Sequence, residues 1–207
     1  MDDELEVIMS EDGKTRIRLL SDWDGEASNP RDWMATEIVT PPLRRWNVAT
    51  EGAEFQSQFD EIYGRHDGET FARYMRIFHG IEVLPVYLYD HSAVALSVGS
   101  FIGRAQHADW DSGQIGFAYI TPEKLEETGI TDYAGAISSE VEILGQWMNG
   151  EVYGYVVEER RDFTKVYHDG DESQEDFDWE ETDSCWGFIG YDAVEAEARA
   201  AAGFPAA

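Results

Sequence analysis

The apolar residues of this chain arrive in short packets of two different periods, and that pattern limits the fold before anything else does. Glu4 to Ser10 and Thr15 to Leu20 alternate apolar and polar residues on either side of Glu11-Asp12-Gly13-Lys14. An Asp-Gly between two alternating runs predicts a β-hairpin. A long irregular stretch follows from Ser21 to Pro42. Ala53 to Phe78 carries stripes at helical spacing, with Phe55, Phe59 and Ile62 in one and Phe71, Tyr74, Met75 and Phe78 in the next, broken around Gly64 to Gly68. Strands are predicted over Ile81 to Tyr89, Ala93 to Val98 and Gln114 to Ile120, and Pro85 places the first at an edge or beside a bulge. Thr121-Pro122 opens a short helix as N-cap and first helical residue. Ala136 to Met148 is amphipathic, with Ile137, Val141 and Leu144 on one face and Asn149-Gly150 as its stop. Val152 to Glu158 reads as a strand, Phe163 to Tyr167 as its hairpin partner, Trp186 to Tyr191 as a last strand, and Asp192 to Ala202 as an Ala-rich helix. The fold class that results is α+β: a mixed, mainly antiparallel sheet with amphipathic helices packed on it. It is expected as one domain over 1–191, with an Ala-rich helix or tail over 192–207.

The chain has 207 residues, enough for a substantial core, and its seven Trp argue against a disordered acidic chain. No apolar run approaches the roughly 18 residues of a membrane span. The first residues, MDDELEVIMSEDGK, have neither the basic nor the apolar region of a signal peptide, so a cytoplasmic setting is expected. A single cysteine, Cys185, excludes an internal disulfide and a multi-cysteine zinc site.

Forty-three acidic residues stand against 15 basic ones, a formal charge of -28. Non-specific binding to nucleic acid or to an anionic membrane is therefore not expected. The segment Asp169 to Asp183 holds nine acids and no base, which leaves -19 on the other 192 residues. The acidity is global, with one local maximum that reads as an insert. Of the 15 bases only three are lysines, Lys14, Lys124 and Lys165. That balance is the pattern of proteins that fold in molar salt, where screening relieves self-repulsion. A second explanation is that the acid surface imitates the phosphates of DNA and occupies a basic site on a DNA-binding protein.

Five segments in order carry a resemblance: Asn29-Pro30-Arg31-Asp32-Trp33, Pro85 to Ser92 (PVYLYDHS), Trp110 to Phe117 (WDSGQIGF), Gly150 to Tyr155 (GEVYGY) and Asp183 to Phe188 (DSCWGF). Together they resemble an uncharacterised protein family of tailed phages, proviruses and conjugative elements, over about residues 1 to 191. The resemblance implies a virus or mobile element of a halophilic host and no established activity. A cysteine-containing cluster of the family before Trp110 is replaced here by Ala105-Gln106-His107-Ala108-Asp109.

Candidate chemistry gathers at predicted strand ends. His91 beside Asp90 has the composition of a general acid–base pair, or of a turn. Asp111, Ser112, Gln114 and Asp183 are the further pocket candidates, with Trp110 as a packing anchor. His107, Asp109 and Asp111 are candidates for a hard divalent cation through oxygen ligands, although the full calcium-loop pattern is absent. Cys185 is either a nucleophile paired with His91 or a small buried hydrophobe. Trp33 and Trp46 are expected in the core. Trp23 and Trp179 are left as aromatics for an interface, and Asp176, Asp178, Glu180 and Glu181 around Trp179 form the interface candidate. No cofactor is specified, and His66, His79 and His168 show no ligand-like spacing.

The leading expectation is an acidic accessory protein of a virus or mobile element that acts by protein–protein contact in the host, including DNA mimicry against a host defence. The alternatives are a small-ligand-binding or metal-dependent enzyme at the strand ends, and a virion structural component.

Overall fold

The computed structural model describes residues 3–22, 29–43, 45–65, 68–166 and 173–206. Trp23, His66, His168 and the first part of the acidic segment, 169–172, lie outside them. The class is α+β, with every strand pair antiparallel. The chain gathers into two compact units, Met1–Ser28 with Gly150–Ala207 and Asn29–Asn149.

In the first unit β1 (Glu4–Met9) and β2 (Thr15–Ser21) form the expected hairpin. Asp12 holds its turn by accepting from Ser10 Oγ at 2.7 Å and from the Lys14 N–H at 3.0 Å, and Gly13 takes a φ of 67°. β2 pairs with β7 (Val152–Val166), which pairs with β8 (Ser173–Ile189), giving the order β1-β2-β7-β8. Ile17 and Leu19 of β2 and Tyr155 and Val157 of β7 share one face. There they pack with Val194 and Ala198 of α6 (Tyr191–Ala202), so the Ala-rich stretch contributes to this unit's core. On the opposite face Gly154 stands across from Trp186. A Cβ at Gly154 would lie 2.1 Å from the indole Cε3, so the ring occupies the place of a side chain.

The sequence divides β7 and β8 differently from the structure. Phe163 to Tyr167 is expected as the hairpin partner of Val152 to Glu158, but residues 152–166 form one strand. The described part of the acidic segment, 173–183, lies within its partner strand, β8. The polar run Glu159-Arg160-Arg161-Asp162 breaks the alternation that marks a half-buried strand, because both faces of this ribbon meet water and no apolar side is required.

The second unit is a three-layer sandwich. Its sheet runs β3-β6-β4-β5, with β3 (Glu37–Val39), β4 (Leu84–His91), β5 (Ala93–Ser97) and β6 (Ser112–Tyr119). Ile38, Val86, Leu96 and Ala118 face Ile137, Val141 and Leu144 of α5 (Tyr133–Met148). Val39, Phe117 and Tyr119 face Phe59 of α1 (Gln56–Tyr63) and Phe71 of α2 (Gly68–Tyr74). α4 (Pro122–Thr128) opens as expected on Thr121, whose hydroxyl accepts from the Lys124 N–H at 3.3 Å. After α2 the helix widens into a π-turn over Met75–His79. The extra residue rotates the apolar stripe, so Met75 is buried while Phe78 faces solvent.

Pro85 is accommodated by both devices the sequence suggests: β4 bulges between Val86 and Tyr87, and β5 joins it only from Tyr87 onward. β3 falls inside the stretch read as irregular, because three residues carry no usable alternation. It is anchored at its N-terminal end, where Glu140 of α5 accepts from the Ala35 and Thr36 N–H groups at 3.1 and 2.8 Å.

Candidate functional site

β4 delivers His91 to the end of the second unit's sheet, and the chain reverses there through Ser92, whose φ of 65° is a left-handed turn conformation. α3 (Ala108–Asp111) brings Asp111 beside it, with His91 Nδ1 2.8 Å from Asp111 Oδ2. The His107 ring lies 5.8 Å from that of His91, and Tyr89 stacks on the other side at 6.0 Å and 19°. The Tyr89 hydroxyl donates to Gln106 O, which ties β4 to the loop carrying His107. Two predicted residues, His91 and Asp111, are thus in contact, and His107 joins them.

Asp90 is not part of this group. Adjacent strand residues point to opposite faces, and Asp90 accepts from Arg45 Nη1 and Trp46 Nε1, each at 3.0 Å. Arg45 lies over the Trp46 ring at 4.9 Å. Both line an open groove of about 650 Å³ with Thr40, Pro42, Gln56 and Asp60. Asp90 is therefore a post that sets a groove wall, and Trp46 packs partly buried as expected.

Several expectations are corrected here. Trp110 is no packing anchor, being 89% exposed, and Trp33 is half exposed rather than in the core. Trp110 sits in a four-residue helix that packs only Ala108 inward. Ser112 donates its hydroxyl to Ala108 O at 2.7 Å, and Gln114 turns its amide to Gly116 O at 3.4 Å. Asp109 is exposed. Among the described residues no group of three or more His, Cys, Asp or Glu side chains is arranged to hold a metal ion.

What the His91–Asp111 pair can do is limited and specific. A carboxylate on Nδ1 fixes that hydrogen and leaves Nε2 as a proton acceptor, half of a general-base device. The hydroxyls that flank it in sequence, Ser92 and Ser112, donate to backbone carbonyls. Cys185 and Asp183 belong to the first unit. Cys185 is exposed, not a buried hydrophobe, because β8 is an edge strand. Asp183 lies 3.5 Å from the Tyr155 hydroxyl. Burial, then the Asp183 charge, pushes the Tyr155 phenol up.

The interface candidates fall on the outer part of β7–β8. β2 follows β7 only to the Thr15–Glu159 pair, and the two long strands continue alone from Arg160 opposite Trp179 to Val166 opposite Ser173. One face of this arm is a cation–aromatic ladder. Arg16 lies over Trp179 at 4.4 Å, Arg160 lies over Phe177 at 4.1 Å, and the two rings meet edge to face at 6.2 Å. Arg16 is held by Glu158 at 2.5 Å. The other face carries Asp176, Asp178 and Glu180, where Lys165 pairs with Asp176 and Arg161 with Glu180. The Lys165 ammonium, then the Phe177 N–H, holds the Asp176 carboxyl below the usual carboxylate range. Glu181 accepts from Ser184 Oγ at 2.8 Å. Phe163 and Phe177 remain 41% and 45% exposed and Val166 72%.

The sequence missed Arg16, Arg160, Arg161 and Lys165 as partners of the acidic segment. Pairing across a hairpin is set by register, and although Asp169-Gly170 between the strands is a turn signal, neither flanking run has an apolar side that would fix which residues face each other. Comparison of the chain with protein-family profiles, with curated proteins and with solved structures finds no match.

Proposed function

We propose that this protein acts by binding another protein through the β7–β8 arm, as an acidic accessory factor in the virus or mobile-element setting that the sequence motifs imply. The observation that carries this reading is the exposure of Phe163, Phe177 and Val166 on an arm where, among the described residues, β7 and β8 have no other strand beside them. A two-stranded ribbon is marginal in water by itself. Aromatic and Arg side chains on such a projection have the composition of a binding hot spot.

DNA mimicry is a form of the same proposal. Asp176, Asp178 and Glu180 lie on one strand face at steps of about 7 Å, which favours it. Lys165 and Arg161 already neutralise two of the three, which favours ordinary protein docking. A second reading, a small-ligand site with general-base chemistry, draws on the His91–Asp111 contact at 2.8 Å.

The test is capture of partners from a halophilic host lysate at molar salt by the full chain and by the Phe163→Ala/Phe177→Ala variant, with and without added DNA. The arm reading expects a captured protein that the variant loses while its circular dichroism is unchanged. Displacement by DNA selects the mimic form. Equal capture by the variant overturns the arm reading.

A further inference from the structure

The register of β7 and β8 fixes which backbone groups of β8 point away from the sheet. Arg160 sends its N–H to Lys14 O at 2.8 Å, on the β2 side of β7. Arg160 and Trp179 therefore face each other as a non-hydrogen-bonded pair, and the Trp179 N–H points outward from the sheet edge. The two-residue period sends the Phe177 N–H out as well. Past the register shift at Val157/Glu158, which adds one residue to β8, the outward position falls on Ser184.

All three donors meet the carboxylate of the aspartate just before them. Phe177 N donates to Asp176 at 2.9 Å, Trp179 N to Asp178 at 2.8 Å and Ser184 N to Asp183 at 2.9 Å. An open edge strand is a template for any passing strand, and here three of its outward donors are taken by anions. A strand that adds to this edge must bring carbonyls to those N–H groups and release three carboxylates. Asp176 keeps Lys165, but a neutral strand brings no counter-charge to Asp178 and Asp183, and a second copy of β8 sets carboxylate against carboxylate. A strand with cations at every second position supplies partners for Asp176 and Asp178 on one face. Its alternate positions then lie beside Phe177 and Trp179 on the other.

We propose that the outer edge of β8 is a β-addition site for an extended segment of a partner protein in which Lys or Arg alternates with apolar residues. This deepens the arm reading and rests on it: the aspartate caps act as a filter that admits cationic strands and turns others away.

The test titrates the full chain with a labelled peptide of alternating Arg and Val, its block isomer with all Arg preceding all Val, and an alternating Thr/Val peptide. Binding is read by anisotropy, and amide exchange at Phe177, Trp179 and Ser184 is followed in parallel. The alternating Arg/Val peptide is expected to bind at least about ten-fold tighter than either control and to slow exchange at those three amides. The variant Asp176→Asn/Asp178→Asn/Asp183→Asn keeps an acceptor at each position but removes the charge, so it is expected to lose the preference for Arg/Val over Thr/Val. If the block isomer binds equally well, attraction is by net charge alone and the edge proposal fails. Unchanged exchange at the three amides in the unmodified chain overturns it too, independently of how the variant folds. If lysate capture still depends on Phe163 and Phe177 while the peptide results are negative, the arm reading stands and the edge proposal alone falls. If capture never depended on them, the arm reading is what fails.

Discussion

The sheet of the second unit is covered on both faces, by α5 on one side and α1 with α2 on the other. The first unit's sheet has α6 on one face and extends into an arm of exposed residues on both. Phe59, Phe71 and Tyr119 are fully buried in the former, whereas Phe163, Phe177 and Trp186 stay partly exposed in the latter. Charge divides the same way. Residues 29–149 hold 18 acidic against eight basic residues, a net -10, and the other 86 residues hold 25 against seven, a net -18. The smaller unit carries the larger charge and the looser arrangement of aromatics. The acid excess therefore concentrates where the chain has least core to offset repulsion.

The sharpest way to break this comparison is to delete one ring from each unit. Phe59→Ala removes a fully buried side chain and should cost about 3–5 kcal/mol in urea denaturation. Phe177→Ala removes a half-exposed one and should cost under about 1 kcal/mol. Similar losses would show that the arm is as tightly packed as the sandwich.

Salt gives a smaller effect. Between 0.1 and roughly 2 M salt the Debye length falls from about 10 Å to about 3 Å or less. Amide-exchange protection should rise in both units, and more in the one with -18. Protection that does not rise contradicts the screening argument, and an equal rise removes the link between charge density and exposure.

The smallest effect concerns the phenol of Tyr191. Burial, then the hydrogen bond it donates to Glu6, pushes it up to about 12, above the ordinary tyrosine value of about 10. A raised value means the folded state holds the proton more tightly. Its contribution to stability is thus full below pH 10 and is lost as pH rises toward 12. Tyr191→Phe should flatten that part of the stability–pH curve for the first unit, leaving the β1–β8 sheet otherwise intact. A slope unchanged in the variant assigns the alkaline loss to other tyrosines.

Much of the second unit was legible in the sequence because its elements are long and one-sided. Ile137, Val141 and Leu144 repeat at helical spacing, and Thr121-Pro122 and Asn149-Gly150 mark element ends with backbone chemistry that has few alternatives. Asp12-Gly13 did the same for the first hairpin. What escaped was everything fixed by pairing across distance. β3 is too short to show a period. Lys165 meets Asp176 and Arg160 meets Phe177 only through the register of two strands that have no apolar side. The candidate site divides along that line. His91 and Asp111 were chosen by residue type and do meet. Asp90 was chosen with them, but the strand's alternation turns it toward Trp46.

The close fit of Trp186 over Gly154 has a consequence for everything farther along the arm. A ribbon with water on both faces lacks the usual penalty for sliding, since a slip hides and exposes nothing. Gly154 is the one residue of β7 without a side chain, so a two-residue slide in either direction would drive Val152 or Val156 into the indole. That single notch works as a key. Once it is seated, Arg160 is set opposite Trp179 and Phe163 opposite Asp176, and the alignment of the outer arm is inherited from one glycine near its base.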